Sequence, residues 1–332
     1  MKKILLFRPL MALGGTEIAM LSLIKNLKNY EIYLAYVDDT SDQKLLDRFR
    51  KYAKVGKVAD FDFQFDTLII ATNRYHTFDE IKQIKRKQTI LWVHYFFKLE
   101  TSVFNDKEEI AALDKIVVVS KTAANKLITK YPYLKSKVLT IYNVIEQEEI
   151  RKKALEPIDI QFQSCLNLVT TARICKEKGF IRMAYLANIL KNKNIPFKWY
   201  VIGDNHYPER KLEMLEYFKG LDDYFVWLGF LDNPYNIMQK CDYEVLLSDD
   251  ETWGLALTEA LILGVPCITT DFEAAFEQIN ENNGFILSRD NLASYEEKIP
   301  DILEKKNKLK NNVKNYYYDN NKILKEWDDL IG

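Results

Sequence analysis

"YEVLLSDDETWGLALTEALILGVPCITTD", residues 243–271, reads as one complete β-α-β unit. "YEVLLS" (243–248) is a short apolar, β-rich run, and "PCITTD" (266–271) is another. Between them, Leu255, Ala256, Leu257, Ala260, Leu261, Ile262 and Leu263 put apolar side chains on nearly every face of a helix, so that helix should be buried. Two apolar strands joined through a buried helix are expected to lie parallel in a sheet covered on both faces.

The same alternation extends in both directions. Towards the C-terminal side of the chain centre, "CLNLVTTA" (165–172), "FKWYVIGD" (197–204) and "YFVWLGF" (224–230) are strands separated by helical stretches. Before them, "KILLF" (3–7), "EIYLAYV" (31–37), "TLIIAT" (67–72), "TILWVHY" (89–95), "KIVVVS" (115–120) and "KVLTIYN" (137–143) form a second such set. In "EIAMLSLIKNL" (17–27), apolar residues recur every three positions, as on a helix face. The charged stretch 144–164, with Pro157, reads as a short helix plus linker. The expected architecture is therefore α/β, with two Rossmann-like halves. The first comprises residues 1–150 and the second 151–314, with a terminal helix read over 315–332. The apolar members of that last helix, Ile323, Leu324, Trp327, Leu330 and Ile331, need a surface to pack on.

Composition narrows the class. The 332 residues are 48% hydrophobic and 29% charged, with a net charge of −1, as in ordinary folded chains. Residues 1–150 carry +5 and residues 151–332 carry −6. That asymmetry suits either a first half resting on an anionic membrane or two plainly solvated surfaces. Cys165, Cys175, Cys241 and Cys267 contain no C-x-x-C pair and, with His76, His94 and His206, no metal-ligand spacing. A reduced, cytoplasmic setting fits. "MKKILLFRPLMALGG" reads as a first strand and loop rather than a signal peptide, because Arg8 and Pro9 interrupt its apolar run.

Ligands of open α/β sheets bind at the carboxyl ends of the strands, and two such domains facing one another make a cleft. Glu251 follows the strand 243–248, and Gly254 opens the helix that carries Glu259. The free amides near Gly254, Leu255 and Ala256 form an anion site at the positive helix end. Two carboxylates around an anion site suit a nucleoside diphosphate sugar, with ribose hydroxyls on Glu259 and sugar hydroxyls on Glu251. The plainer alternative makes Glu251 a helix-start acid and Glu259 an ion-pair partner. Arg173 and Lys178, in "TTARICKEKGF", follow another strand end and could neutralise a diphosphate, whereas Lys176 reads as a surface cation. Gly14 and Gly15 open the first helix and could cradle phosphate or sugar. His94 ends "TILWVHY", where it could hydrogen-bond a sugar or move a proton. His76 has similar placement, and His206 reads as a surface loop residue. Asn143, Gly203 and Ser248 also end strands, and Gly203 would let backbone pass close to a nucleotide. Asp38 and Asp39 follow the second strand, as a dinucleotide site would require, but the G-x-G-x-x-G fingerprint is missing.

Taken together these stretches resemble glycosyltransferase family four, a retaining group with the GT-B fold. Residues 248–271 resemble its S-x-x-E-x-x-G-L…E-A…G-x-P-V block, and "LVTTARICKEKGF" resembles its R…K-G motif. "GGTE", "VVVSKTAANKL", "IYN" and "VWLGF" match weaker signatures in the right order. The departures are Trp253 for a commoner Phe or small residue, "GDN" without a second glycine, and "IYNVI" without the glycine after Asn143. The resemblance implies that Glu251 contacts sugar hydroxyls, Glu259 the ribose, and Arg173, Lys178 and the backbone at Gly254 and Leu255 the diphosphate. It places Gly15 near the donor phosphate or acceptor and His94 where the family often has a functional histidine, and it returns the helix of 315–332 to the first half. It further implies sugar transfer, with retention, from a nucleotide-sugar, UDP-linked by expectation. The acceptor would be a hydroxyl of a growing glycan or lipid-linked saccharide in surface polysaccharide synthesis. Neither a metal nor a nucleic-acid partner is implied, and the work would be done in the cytoplasm or at the inner face of the plasma membrane. The alternatives are a nucleotide-sugar epimerase on the same fold, a nicotinamide dehydrogenase, and a non-catalytic partner subunit.

Overall fold

The computed structural model describes residues 1–72, 77–95, 103–204 and 208–332. They form two compact units, Met1–Ile145 with Asp319–Gly332, and Glu146–Tyr318.

The first unit runs β1 (Lys2–Phe7), α1 (Gly15–Asn26), β2 (Tyr30–Tyr36), α2 (Gln43–Arg50), β3 (Lys54–Lys57), β4 (Phe65–Ile70), α3 (Thr77–Ile81), β5 (Arg86–Val93), α4 (Lys107–Ala111), β6 (Lys115–Val118), α5 (Lys121–Lys130) and β7 (Val138–Thr140). Its seven strands lie in the order β3-β2-β1-β4-β5-β6-β7, all parallel. The central strands end in apolar runs because helices cover both faces: Ile4, Leu5, Leu6 and Phe7 of β1 are fully buried. Helix starts are capped where their amides need acceptors. Ser120 Oγ accepts from Ala123 N at 3.1 Å at α5, and Asp42 Oδ1 accepts from Leu45 N at 3.2 Å at α2.

The second unit opens with α6 (Gln147–Ala154) and continues through β8 (Leu166–Thr171), α7 (Phe180–Asn192), β9 (Phe197–Ile202), α8 (Pro208–Leu215), β10 (Phe225–Gly229), α9 (Tyr235–Met238), β11 (Tyr243–Leu246), α10 (Leu255–Ile262), β12 (Cys267–Thr270), β13 (Gly284–Leu287) and α11 (Ser294–Val313). Its six parallel strands are ordered β10-β9-β8-β11-β12-β13. The core of this unit joins Trp199, Tyr243, Phe180 and Tyr295 across the sheet and its covering helices.

A last helix, α12 (Asn320–Ile331), belongs to the first unit. Trp327 is fully buried there, edge-on to Trp92 with ring centroids 5.0 Å apart. The helix starts at Asn320 rather than near 315 because Asp319 Oδ1 caps it, accepting from Lys322 N at 3.1 Å. Tyr318 stays with the second unit, where Gln147 receives its N–H at 2.9 Å and donates to its carbonyl at 2.7 Å. The junction falls before α6, at 145/146, rather than at 150 inside that helix. No described helix is long and apolar enough to cross a membrane.

Candidate active site

The second sheet changes direction between β8 and β11. Strands β9 and β10 extend it one way from β8, and β12 and β13 extend it the other way from β11. The loops leaving β8 and β11 therefore part from one another, which opens a crevice at the strands' carboxyl ends.

Arg173 and Lys178 sit on the loop after β8 and Glu251 on the loop after β11, whereas Glu259 lies within α10. The loop after β8 ends in a 3-10 turn, Lys176–Lys178, closed by Gly179 in the left-handed conformation at φ 72°. A Cβ on Gly179 would lie 1.7 Å from the Leu247 carbonyl oxygen, so only glycine allows this loop to rest on the end of β11. That contact brings Lys178 to Glu251, 73 positions away, and the ammonium pairs with Glu251 Oε1. Ser248 Oγ donates to the same oxygen at 2.8 Å. Both donors converge on Oε1, and no other described residue donates to Oε2. Arg173 is exposed, and its guanidinium forms no ion pair among the described residues.

The loop bearing Glu251 is braced by residues that sequence reasoning missed. Arg182 pairs with Asp249 Oδ1 at 2.7 Å, Arg289 Nη1 donates to the Asp249 carbonyl at 2.6 Å, and Arg289 Nε donates to Asp271 Oδ1 at 2.9 Å. Trp253, the departure from the family pattern, is buried and donates from Nε1 to Thr258 Oγ1 at 2.9 Å. Thr258 passes the chain on to Gln278 Oε1 at 2.7 Å, and Gln278 returns a bond to the Trp253 carbonyl. A closed, fully satisfied network thus fixes the start of α10. Gly254 takes φ 85° as its N-cap residue, while Leu255 and Ala256 of the first turn are half-buried. The amides there are free to face an anion.

Glu259, one turn further along α10, is not clamped by an internal cation. Tyr235 Oη donates to its Oε1 at 3.1 Å. Lys153 acts on it only as a neighbouring charge, because that ammonium pairs with Glu149 at 2.9 Å. Burial dominates and pushes the Glu259 carboxyl up to about 7. Inside β11, Glu244 is fully buried and accepts from Thr171 N at 2.9 Å. Burial raises its pKa far above the ordinary carboxylate range, and Glu259 adds to the effect. Nothing in "YEVLLS" distinguished Glu244 from an ordinary strand residue, since its acceptor role depends on the pairing of β11 with β8.

Gly203 has φ 140°, and a Cβ there would stand 2.0 Å from the Ala172 carbonyl oxygen. Close packing of the ends of β8 and β9 accounts for this glycine without reference to a ligand.

In the first unit, Gly14 is the N-cap of α1 in an extended conformation, φ −165°, and Gly15 is the exposed first residue of the helix. Glu17, the acid of "GGTE", is buried and pairs with Arg8 Nε at 2.8 Å. Arg8 Nη1 also donates to the Ala71 carbonyl at 2.7 Å, which ties the ends of β1 and β4 to the first turn of α1. His94 lies just past β5 against Trp92, with ring centroids 4.3 Å apart. Its Nε2 is buried with no hydrogen-bond partner among the described residues. Burial first, and the Arg8 charge second, lower the His94 pKa to about 3. This imidazole is neutral at working pH, which suits hydrogen bonding and argues against the proton-moving alternative. Asn143 is buried as well. Asp39, the expected dinucleotide acid, is engaged by Lys57 at 2.6 Å. His76 and His206 lie outside the described residues. Among the described residues, no group of three or more His, Cys, Asp or Glu is placed to hold a metal ion.

Two parallel-sheet units of this topology, with Lys178 and Glu251 paired at the switch point of the second, are the arrangement of the GT-B fold. Residues 166–319 match the family described as "Glycosyl transferases group 1". The chain has the fold of the GT-B glycosyltransferases. It is similar to the Escherichia coli O-antigen biosynthesis glycosyltransferase WclY, 26% identical over 295 residues that cover 80% of this chain and 79% of that one. It is also similar to a Campylobacter jejuni N-acetylgalactosamine-N,N'-diacetylbacillosaminyl-diphospho-undecaprenol 4-alpha-N-acetylgalactosaminyltransferase, 26% identical over 204 residues. That match covers 61% of this chain but spans only about half, 54%, of the relative. Among solved structures, Anabaena Alr3699/HepE in complex with UDP and glucose superposes with a TM-score of 0.77 at 15% identity, covering 100% of this chain and 99% of that one.

Proposed function

We propose that the chain transfers a sugar, with retention of configuration, from a UDP-sugar to a hydroxyl of a growing glycan or lipid-linked saccharide in surface polysaccharide synthesis. The observation that supports this best is the convergence of Lys178 and Glu251 at the β8/β11 switch point, beside an Arg173 free to meet an anion. The UDP and glucose bound to one similar protein and the diphospho-undecaprenol in the name of another point the same way.

In this reading the donor diphosphate lies against Arg173, Lys178 and the first amides of α10 at Gly254 and Leu255. Glu251 accepts sugar hydroxyls on Oε2, since Lys178 and Ser248 occupy Oε1. Glu259 accepts the ribose hydroxyls. As the bond between C1 and the phosphate oxygen breaks, negative charge grows on the diphosphate, where two cations and a helix N-terminus already stand. The acceptor oxygen bonds to C1 on the same face, and its proton passes to the departing phosphate, so the protein supplies no nucleophile and no metal. Neutral His94 donates or accepts a hydrogen bond to a sugar hydroxyl, and Gly15 leaves room for the acceptor or the donor phosphate. The lipid-linked acceptor would bring the enzyme to the cytoplasmic face of a membrane.

Release of nucleotide from UDP-sugars, with and without added glycan acceptors, tests the reading. Lys178→Ala and Glu251→Ala should each lower turnover by about 10²-fold or more while unfolding remains cooperative. Full turnover by both variants would refute it.

A further inference from the structure

The side chain that orients Glu259 lies outside every motif so far discussed. Helices α6, α9 and α10 pack against one another in the second unit. Glu259 projects from α10, and Tyr235 opens α9 with its Oη on Glu259 Oε1 at 3.1 Å. The start of α9 is itself anchored to α6. Asn233 Oδ1 accepts from Tyr235 N at 3.1 Å, and Asn233 Nδ2 donates to the Lys153 carbonyl at 2.9 Å and to Glu156 Oε2 at 2.7 Å. Tyr235 therefore reaches Glu259 from a held position.

We propose that Tyr235 is a positioning residue for nucleotide recognition: its hydroxyl occupies one oxygen of Glu259 and turns the other towards the ribose hydroxyls of the donor. The proposal rests on the reading that Glu259 takes the ribose. A glutamate free about its side-chain torsions would have to be ordered by the ligand, at a cost set against affinity. The Tyr235 phenol contributes one neutral hydrogen bond to one oxygen and leaves the second oxygen open to a diol. The other ionisable groups facing Glu259 are Glu244 of β11, whose pKa burial raises well above the ordinary carboxylate range, and Lys153 of α6, which is paired with Glu149. Tyr235 is thus the direct hydrogen-bond donor to this carboxylate among the described residues.

Binding of UDP and GDP, and of their 2'-deoxy counterparts, to wild type, Tyr235→Phe and Glu259→Gln tests this by calorimetry across pH 6–9. Wild type should prefer the ribonucleotide by about tenfold, the value of one charge-assisted hydrogen bond. Tyr235→Phe keeps the ring and should bind the deoxynucleotide as wild type does, which also reports that it is folded. Its ribonucleotide affinity should fall about three- to tenfold, so the preference approaches unity, and the pH below which the ribonucleotide weakens should move upward. A wild type that binds neither ribonucleotide, or that binds ribo and deoxy forms equally, overturns the ribose reading and this proposal with it. A wild-type preference that Glu259→Gln abolishes but Tyr235→Phe leaves intact, with an unmoved pH profile, overturns the role of Tyr235 alone.

Discussion

Glu259→Gln should stabilise the ligand-free second unit, and only at neutral and alkaline pH. The carboxyl ionises near 4.5 when solvated and near 7 in the fold. Ionising it in place therefore carries about 3 kcal/mol of unfavourable desolvation. In the unfolded chain the proton leaves as pH rises through 4.5, whereas the folded carboxyl holds it until about 7. Stability is consequently lost over that window as pH rises, and it is unaffected below about pH 4. Glutamine has the same shape, still accepts from Tyr235, and never ionises. The stability difference between variant and wild type should grow from near zero at pH 4 to about 3 kcal/mol at pH 8. For a unit of roughly 170 residues that corresponds to about 6–12 °C in Tm. Urea unfolding at both pH values, without nucleotide, measures it. A difference independent of pH, or a variant less stable than wild type at pH 8, would refute the assignment of Glu259 as a desolvated carboxylate without a cation. Gain of stability with loss of ligand affinity is the behaviour of a site residue rather than of a structural one.

Two further outcomes follow from the geometry. Gly179→Ala forces a Cβ onto the Leu247 carbonyl at φ 72°, so it should cost about 2–4 kcal/mol in chemical unfolding and separate Lys178 from Glu251, with turnover falling in step. The His94 imidazole should show no protonation step between pH 5 and 8 by nuclear magnetic resonance. With a folded pKa near 3, below the ordinary 6.5, stability should drain from the first unit as pH falls below about 6.5, and His94→Gln should remove that slope.

Most of the architecture was readable because buried parallel strands have little choice of residue: β1, β4, β8 and β11 are each built around Val, Ile, Leu or aromatic residues. The edge strands β3, "KVGK", and β13, "GFIL", escaped, since an edge is half-covered and needs no long apolar run. Glu251, Arg173 and Lys178 were picked out because they sit at the turns that end strands, and Glu259 because it is a carboxylate in an apolar helix. The groups that hold them were not. Gln278, Arg182, Arg289 and Tyr235 reach the site from separate elements, and no spacing in the chain announces that convergence. Glu244 looked like one more strand residue until β8 placed the Thr171 amide against it. Gly203 was marked for a ligand, but the Ala172 carbonyl gives it a packing reason that only strand register reveals.

The most direct test of the central claim is a calorimetric titration of the wild-type chain and Arg173→Ala with UDP- and GDP-sugars, with NAD as comparison. A nucleotide-sugar should bind wild type with a micromolar Kd, raise Tm in the same buffer, and bind Arg173→Ala at least tenfold more weakly, while NAD does not bind. If no nucleotide-sugar binds, or if Arg173→Ala binds as tightly as wild type, the β8/β11 switch point is not a diphosphate site.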